Sequence, residues 1–128
     1  MLMKLTLRLL KQKYGVCKLN KDDLIPSWAQ KGDFYSVTKT SDELSVVCLE
    51  ENIPMGVKYE GQWRIFKIEG PLDFSLIGIL STISGILAEK SISIFAVSTY
   101  DTDYILLKDA NEEKAVEALT EKDYEIIE

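Results

Sequence analysis

Leu5, Leu7 and Leu9 alternate with Thr6 and Arg8, a period of two that predicts a strand with one buried face. A Lys-rich turn follows, and residues 14–19 (YGVCKL) read as a second strand. The mixed stretch 20–30 contains Pro26-Ser27-Trp28-Ala29. This fits a single helical turn with Pro26 at its first position, where a missing N–H costs little. Residues 34–40 and 43–50 predict a hairpin closed by the polar turn Thr40-Ser41-Asp42. The first half is therefore mostly strand, with one stunted helix. Residues 51–61, with Pro54, Gly56 and Gly61, read as a join.

The pattern then becomes cleaner. Residues 62–69 (QWRIFKIE) alternate as a strand, and 70–73 turn the chain. Across 75–89, Leu76, Ile79, Leu80, Ile83, Ile86 and Leu87 recur at spacings of three and four, which predicts an amphipathic helix. Residues 92–98 are rich in β-branched side chains and predict a second strand; 100–103 turn, and 104–108 return as a third. Asp109 or Asn111 caps a second helix to about Thr120, and 124–127 close as a fourth strand. The order βαββαβ defines an α+β, ferredoxin-like unit: a four-stranded antiparallel sheet with both helices on one face. The first half reads as a degenerate copy with shrunken helices. The expected organisation is therefore two units in tandem, residues 1–60 and 61–128. Units this small are marginal alone, so a shared sheet or core is expected.

Composition narrows the function. A net charge of −6 argues against nucleic acid, whose phosphates need a basic footprint. Nothing approaches the roughly 18 uninterrupted apolar residues of a membrane helix. Lys4 and Arg8 break up any signal-peptide core, so a cytoplasmic protein is expected. Cys17 and Cys48 sit in apolar runs as small hydrophobes, not as a disulfide framework. The chain has no histidine, which removes the commonest general base, the commonest zinc ligand and every His-based triad. Gly70, Gly78 and Gly85 are too widely spaced for a phosphate-binding fingerprint. No enzyme activity, no metal and no cofactor are expected.

Three places suit a ligand. At the helix entry, Asp73 or Ser75 caps the helix, or its free amides and positive dipole end hold a ligand carboxylate. Gly78 there permits close approach of another backbone or a ligand. In the strand 91–98, Ile92, Ile94 and Ala96 share one face and Ser93, Phe95 and Val97 the other. Small Ser91 and Ser93 leave its backbone accessible. A free edge here binds the ammonium and carboxylate of an amino acid, or pairs with a second subunit; the two are compatible. The third is the turn from Ser98 to Tyr104, with Thr99, Tyr100 and Asp103. A solvated hairpin accounts for Asp101 and Thr102, whereas a carboxylate at Asp103 can grip an α-ammonium by charge-assisted hydrogen bonds. Asp101 and Asp103 as a metal or catalytic pair lack further local ligands.

Residues 70–80 (GPLDFSLIGIL) and 87–106 (LAEKSISIFAVSTYDTDYIL) resemble a family of small tandem-ACT proteins. That family comprises short bacterial proteins and the cytosolic arginine sensors of animals, and the ACT domain also occurs in regulatory portions of aspartate kinases. The resemblance is strongest over 63–127 and weaker over 1–60. It implies two ACT-like units per chain, and an amino acid bound between units. The contacts it implies are backbone at Ser93 and Ile94, the turn residues Thr99, Tyr100 and Asp103, and the entry loop around Asp73, Ser75 and Gly78. The animal sensors carry twice as many ACT units, so this chain must form a homodimer to build an equivalent site. The expected function is a non-catalytic, allosteric regulatory module for an amino acid, acting on a regulated partner protein. The alternative is a protein–protein interaction module without a small ligand.

Overall fold

The computed structural model describes residues 5–69 and 78–128. Its strands are β1 (Thr6–Leu9), β2 (Tyr14–Leu19), β3 (Ser36–Lys39), β4 (Leu44–Leu49), β5 (Lys58–Ile68), β6 (Ile94–Ser98), β7 (Asp103–Lys108) and β8 (Glu125–Ile127). Its helices are α1 (Ile79–Glu89) and α2 (Glu112–Glu121), with single 3-10 turns at Ser27–Ala29, Glu50–Asn52 and Asp109–Asn111. The fold is α+β. Its contacts divide it between Trp63 and Arg64, inside β5, into a unit of Gln12–Trp63 and a unit of Arg64–Glu128 that also takes in β1.

In the Gln12–Trp63 unit the strands lie in the order β3-β4-β2-β5, all antiparallel. Along the chain this reads β2, 3-10 turn, β3, β4, 3-10 turn, β5: the βαββαβ order with both helices reduced to one turn. The first of these turns is Ser27–Ala29; Pro26 is expected at its first position but stands just ahead of it, as the extended cap residue. Cys17, Ala29, Leu44, Val46 and Cys48 form the small core, with Trp28, Val37 and Ile53 packed on it. Tyr14 meets Phe34 edge to face at 5.9 Å between ring centres.

The expected join at 51–61 holds the start of β5. Gly61 looks like a breaker in the sequence but belongs to a bulge: β2 advances from Tyr14 to Val16 while β5 runs from Trp63 to Glu60. Gln62 takes the left-handed conformation there, at φ 64°. Its backbone N–H and side-chain amide both donate to Glu50 Oε1, at 3.1 and 3.2 Å. A Cβ on Gly61 would fall 1.9 Å from Glu50 Oε2, so the bulge and the carboxylate require glycine.

In the second unit the strand order is β6-β7-β5-β1-β8. The helix and strand order agrees with the expected ferredoxin-like unit, but the sheet has five strands where four are expected. The extra strand is β1, antiparallel to β5 (Leu7 opposite Ile68) and parallel to β8 (Leu7 beside Ile126). The sequence reading counts β1 with the first half. Its alternation identifies a buried face, and Leu7 and Leu9 do bury, but in the core formed by Phe66, Ile68, Ile83, Leu87, Ile105, Leu107, Ala115 and Leu119. Arg64 ties β1 to α2. It donates to the Leu10 carbonyl at 3.0 Å and to the carboxylates of Asp109 and Glu112.

The described helix α1 starts at Ile79, later than the periodicity predicts, because Gly78 at φ 82° and ψ 5° is left-handed and stands outside it. Both helices end alike. Ile92 N–H reaches the Leu87 carbonyl and Ser91 N–H the Ala88 carbonyl; Tyr124 and Asp123 repeat this onto Leu119 and Thr120. These are Schellman ends whose left-handed residue is Ser91 (φ 59°) or Asp123 (φ 70°), where glycine is usual.

Ser91→Gly should therefore raise unfolding free energy by about 1 kcal/mol in urea titration at unchanged slope, and Ser91→Val should lower it. The two thiols give a second test. Burial raises both, and burial together with the neighbouring Cys17 pushes Cys48 to about 12. A thiol whose native value lies above its unfolded value of 9.0 stabilises the fold fully below pH 9 and loses that contribution as pH rises towards 12. Stability should fall across this window by up to about 1.4 kcal/mol per pH unit for Cys48 alone, and less steeply in Cys48→Ala.

Candidate functional site

Strand β6 is an outer strand. It pairs with β7 over Ile94–Ser98, and among the described residues its other edge has no strand partner. An outer strand of this kind is where a ligand or another strand can add to a sheet. Ile94 lies opposite Leu107 and packs on the helix-side core. Ala96 and Ser98 follow on that face, and Ser98 lies opposite Asp103. The carboxylate of Asp103 is thus carried on the helix side of the sheet, half-buried, at the outer corner. Ser93 lies just ahead of β6 and is exposed.

The turn between β6 and β7 is built by two threonines. Thr99 N–H and Thr99 Oγ1 both donate to the Thr102 carbonyl, at 2.8 and 3.0 Å, and Thr102 N–H returns to Thr99 Oγ1 at 3.3 Å. Thr102 is buried, and its hydroxyl donates to the Ile68 carbonyl at 2.6 Å. The turn is thereby fastened to the end of β5. Sequence reasoning assigned Thr102 to a solvated hairpin; the available signal was threonine three residues apart across a four-residue turn. The hydroxyl of Thr99 is used in holding the turn, while Tyr100 projects at its tip, 83% exposed.

Gly78 opens α1 with no side-chain cap hydrogen bond. A Cβ on Gly78 would meet nothing within 4 Å, so its backbone conformation, not space, calls for glycine. α1 ends one tight turn before β6 and is about 16 Å long, close to the length of β6. Packed on the sheet, its N-terminus lies at the end where β6 finishes and the Thr99–Thr102 turn begins. Asp73 and Ser75 lie outside the described residues. The structure thus brings Gly78, Thr99, Tyr100 and Asp103 to one end of the unit. It leaves Ser93 about 17 Å away at the far end of β6.

Among the described residues there is no group of three or more Cys, Asp and Glu that can hold a metal ion, and no helix long and apolar enough to cross a membrane. A family model described as the ACT domain matches residues 58–121, half of the chain. The chain belongs to the ACT-domain family. A separate model of an N-terminal domain matches residues 12–56. A crystal structure of a protein from Agobacterium tumefaciens is 36% identical over 98% of this chain and 94% of its own, with a TM-score of 0.92. The aspartate kinase of Clostridium acetobutylicum, an allosteric enzyme, shares the fold at TM-score 0.70 and 14% identity, over 95% of this chain and 35% of its own. The ligand-free regulatory subunit of aspartate kinase from Thermus thermophilus shares it at 0.60 and 10%, over 85% and 90%. No curated protein sequence matches. ACT domains as a class are regulatory ligand-binding modules, and the matched families name no catalytic domain.

Thr102→Val should remove the hydroxyl that serves the Ile68 carbonyl and cost about 1–2 kcal/mol in stability. Amide exchange should speed up in the β6–β7 hairpin first, and Thr102→Ser should recover most of the loss.

Proposed function

We propose that the chain is a non-catalytic regulatory module that binds a free amino acid between two copies joined along β6. The observation that carries this reading is the open edge of β6 with different groups at its two ends. Ser93 and the Ile94 backbone stand at the start; Asp103, the Thr99–Thr102 turn and the helix entry stand at the finish. No single chain can bring them to one ligand. An antiparallel pair of β6 edges centred near Ala96 does so twice, because it sets Ser93 of one copy beside the Ser98–Thr99 end of the other. The two ends are chemically complementary to an amino acid. Amides of the α1 first turn suit its carboxylate, and Asp103 suits its ammonium group.

Such a site lies across a subunit contact, so ligand occupancy and pairing are linked. An amino acid that fits only the paired arrangement shifts the population towards it, and a regulated partner protein reads that arrangement. The acidic charge of the chain supports a partner that is neither nucleic acid nor an anionic membrane surface.

The test is a thermal-shift screen of the twenty amino acids, with sedimentation run in parallel on the chain and on Asp103→Ala. One amino acid should raise the midpoint in proportion to the logarithm of its excess over Kd and favour the dimer. Asp103→Ala should lose the shift while its ligand-free midpoint stays close to that of the parent. No shift with any amino acid at millimolar concentration overturns the proposal in favour of docking through the exposed Tyr100 turn.

A further inference from the structure

The Gln12–Trp63 unit carries a concentration of positive charge that neither its folding nor the proposed amino-acid site uses. Strand register places Lys18 of β2 directly opposite Lys58 of β5 and, on its other side, opposite Ser45 of β4; Ser45 in turn lies opposite Thr38 of β3. Residues directly opposite in antiparallel strands share a face. Thr38, Ser45, Lys18 and Lys58 therefore form a row across all four strands, two hydroxyls followed by two ammonium groups. Lys21 joins them from the turn after β2, and the three lysines line a hollow of about 490 Å³ together with Leu19, Asn20 and Asp42.

Two features set this row apart from ordinary solvated lysines. Like charges directly opposite on a sheet destabilise it, and here neither Lys18, Lys21 nor Lys58 has a hydrogen bond or ion pair among the described residues. Lysine is common on outer strands as protection against edge-to-edge pairing. That accounts for Lys58, because this half of β5 is an outer strand of the unit. It does not account for Lys18, because β2 lies between β4 and β5. Asp22 and Asp23 follow Lys21 in the same turn, where the Asp23 carboxylate accepts from the Asn20 N–H at 3.1 Å and closes it. Three ammonium groups and the one carboxylate of Asp42 give the lining of the hollow a charge of about +2, with Asp22, Asp23 and Glu43 next to it in sequence.

We infer that this hollow binds a doubly charged oxyanion of the phosphate class, either free phosphate or a small phosphomonoester. Lys18 and Lys58 supply charge-assisted hydrogen bonds from one side and Lys21 from the turn. The anion converts the opposed lysine pair from a destabilising contact into a shared binding group. The site lies wholly within the Gln12–Trp63 unit, so it stands or falls independently of the amino-acid site on β6.

The experiment uses the full chain and measures its thermal midpoint in inorganic phosphate against sodium chloride at matched ionic strength. Lys18→Gln, the double variant Lys18→Gln/Lys58→Gln and the control Lys114→Gln on α2 are run alongside. In chloride, Lys18→Gln should melt above the parent, because the opposed charges are relieved. In phosphate the order should reverse, with the parent gaining and the double variant gaining nothing. Lys114→Gln should follow the parent. The apparent Kd for phosphate should weaken roughly tenfold on loss of Lys18. A larger gain with O-phosphoserine than with phosphate assigns the monoester; an equal gain assigns the free ion. Equal phosphate shifts in the parent and the double variant overturn the site, because they report only general exclusion of phosphate from protein surfaces. Circular dichroism confirms that each variant is folded.

Discussion

The insertion of β1 between β5 and β8 is the constraint on which the second unit rests. A βαββαβ unit alone pairs its first strand with its fourth; here that place is taken by a segment from the other end of the sequence. Leu7 and Leu9 thereby supply part of the floor on which α1 and α2 pack, beside Phe66 and Ile68. Arg64 fixes the insertion by gripping the Leu10 carbonyl just past β1 and two carboxylates at the start of α2. The unit cannot close its core until the chain from residue 5 to residue 127 has been made. Its folding therefore depends on a contact of very long sequence separation, with the slow loop closure that this entails.

That insertion also determines where the sheet can still grow. With β1 filling the interior and β8 closing one side, β6 is left as the outer strand on the other. Its finishing end is stiffened by the Thr99–Thr102 turn and the buried Thr102 hydroxyl. Its starting end is stiffened by the Schellman turn through Ser91, which delivers Ile92 into the core. An edge held at both ends presents its backbone groups in fixed positions. A second strand or a ligand then binds with little further ordering cost.

Much of this was legible in the sequence, and the exceptions have physical causes. Alternation gave β1, β2 and β6 and their buried faces, and three-four spacing gave α1 from Ile79 onward. Alternation says which face of a strand is buried but not beside which strand it lies, so β1 was grouped with its sequence neighbours. Gly61 resembled a loop glycine because a bulge and a loop ask for the same residue; only the Glu50 carboxylate pressed against it distinguishes them. At the site, Asp103 and the Thr99–Tyr100 turn were visible as polar residues between two apolar strands. Thr102 was passed over because a threonine that hydrogen-bonds a distant carbonyl looks the same in sequence as one facing water. The distance between Ser93 and Asp103 was also hidden, since the five residues of β6 between Ser93 and the turn are short in sequence yet span a whole strand.

The two units illustrate how one strand order serves two purposes. The Gln12–Trp63 unit keeps the order β3-β4-β2-β5 while its helices shrink to single turns over Cys17, Ala29, Leu44, Val46 and Cys48, with Tyr14, Phe34, Val47 and Leu49 also buried. The helical unit, with its larger core, carries the open edge. Division of labour between the two follows from how much apolar surface each can bury.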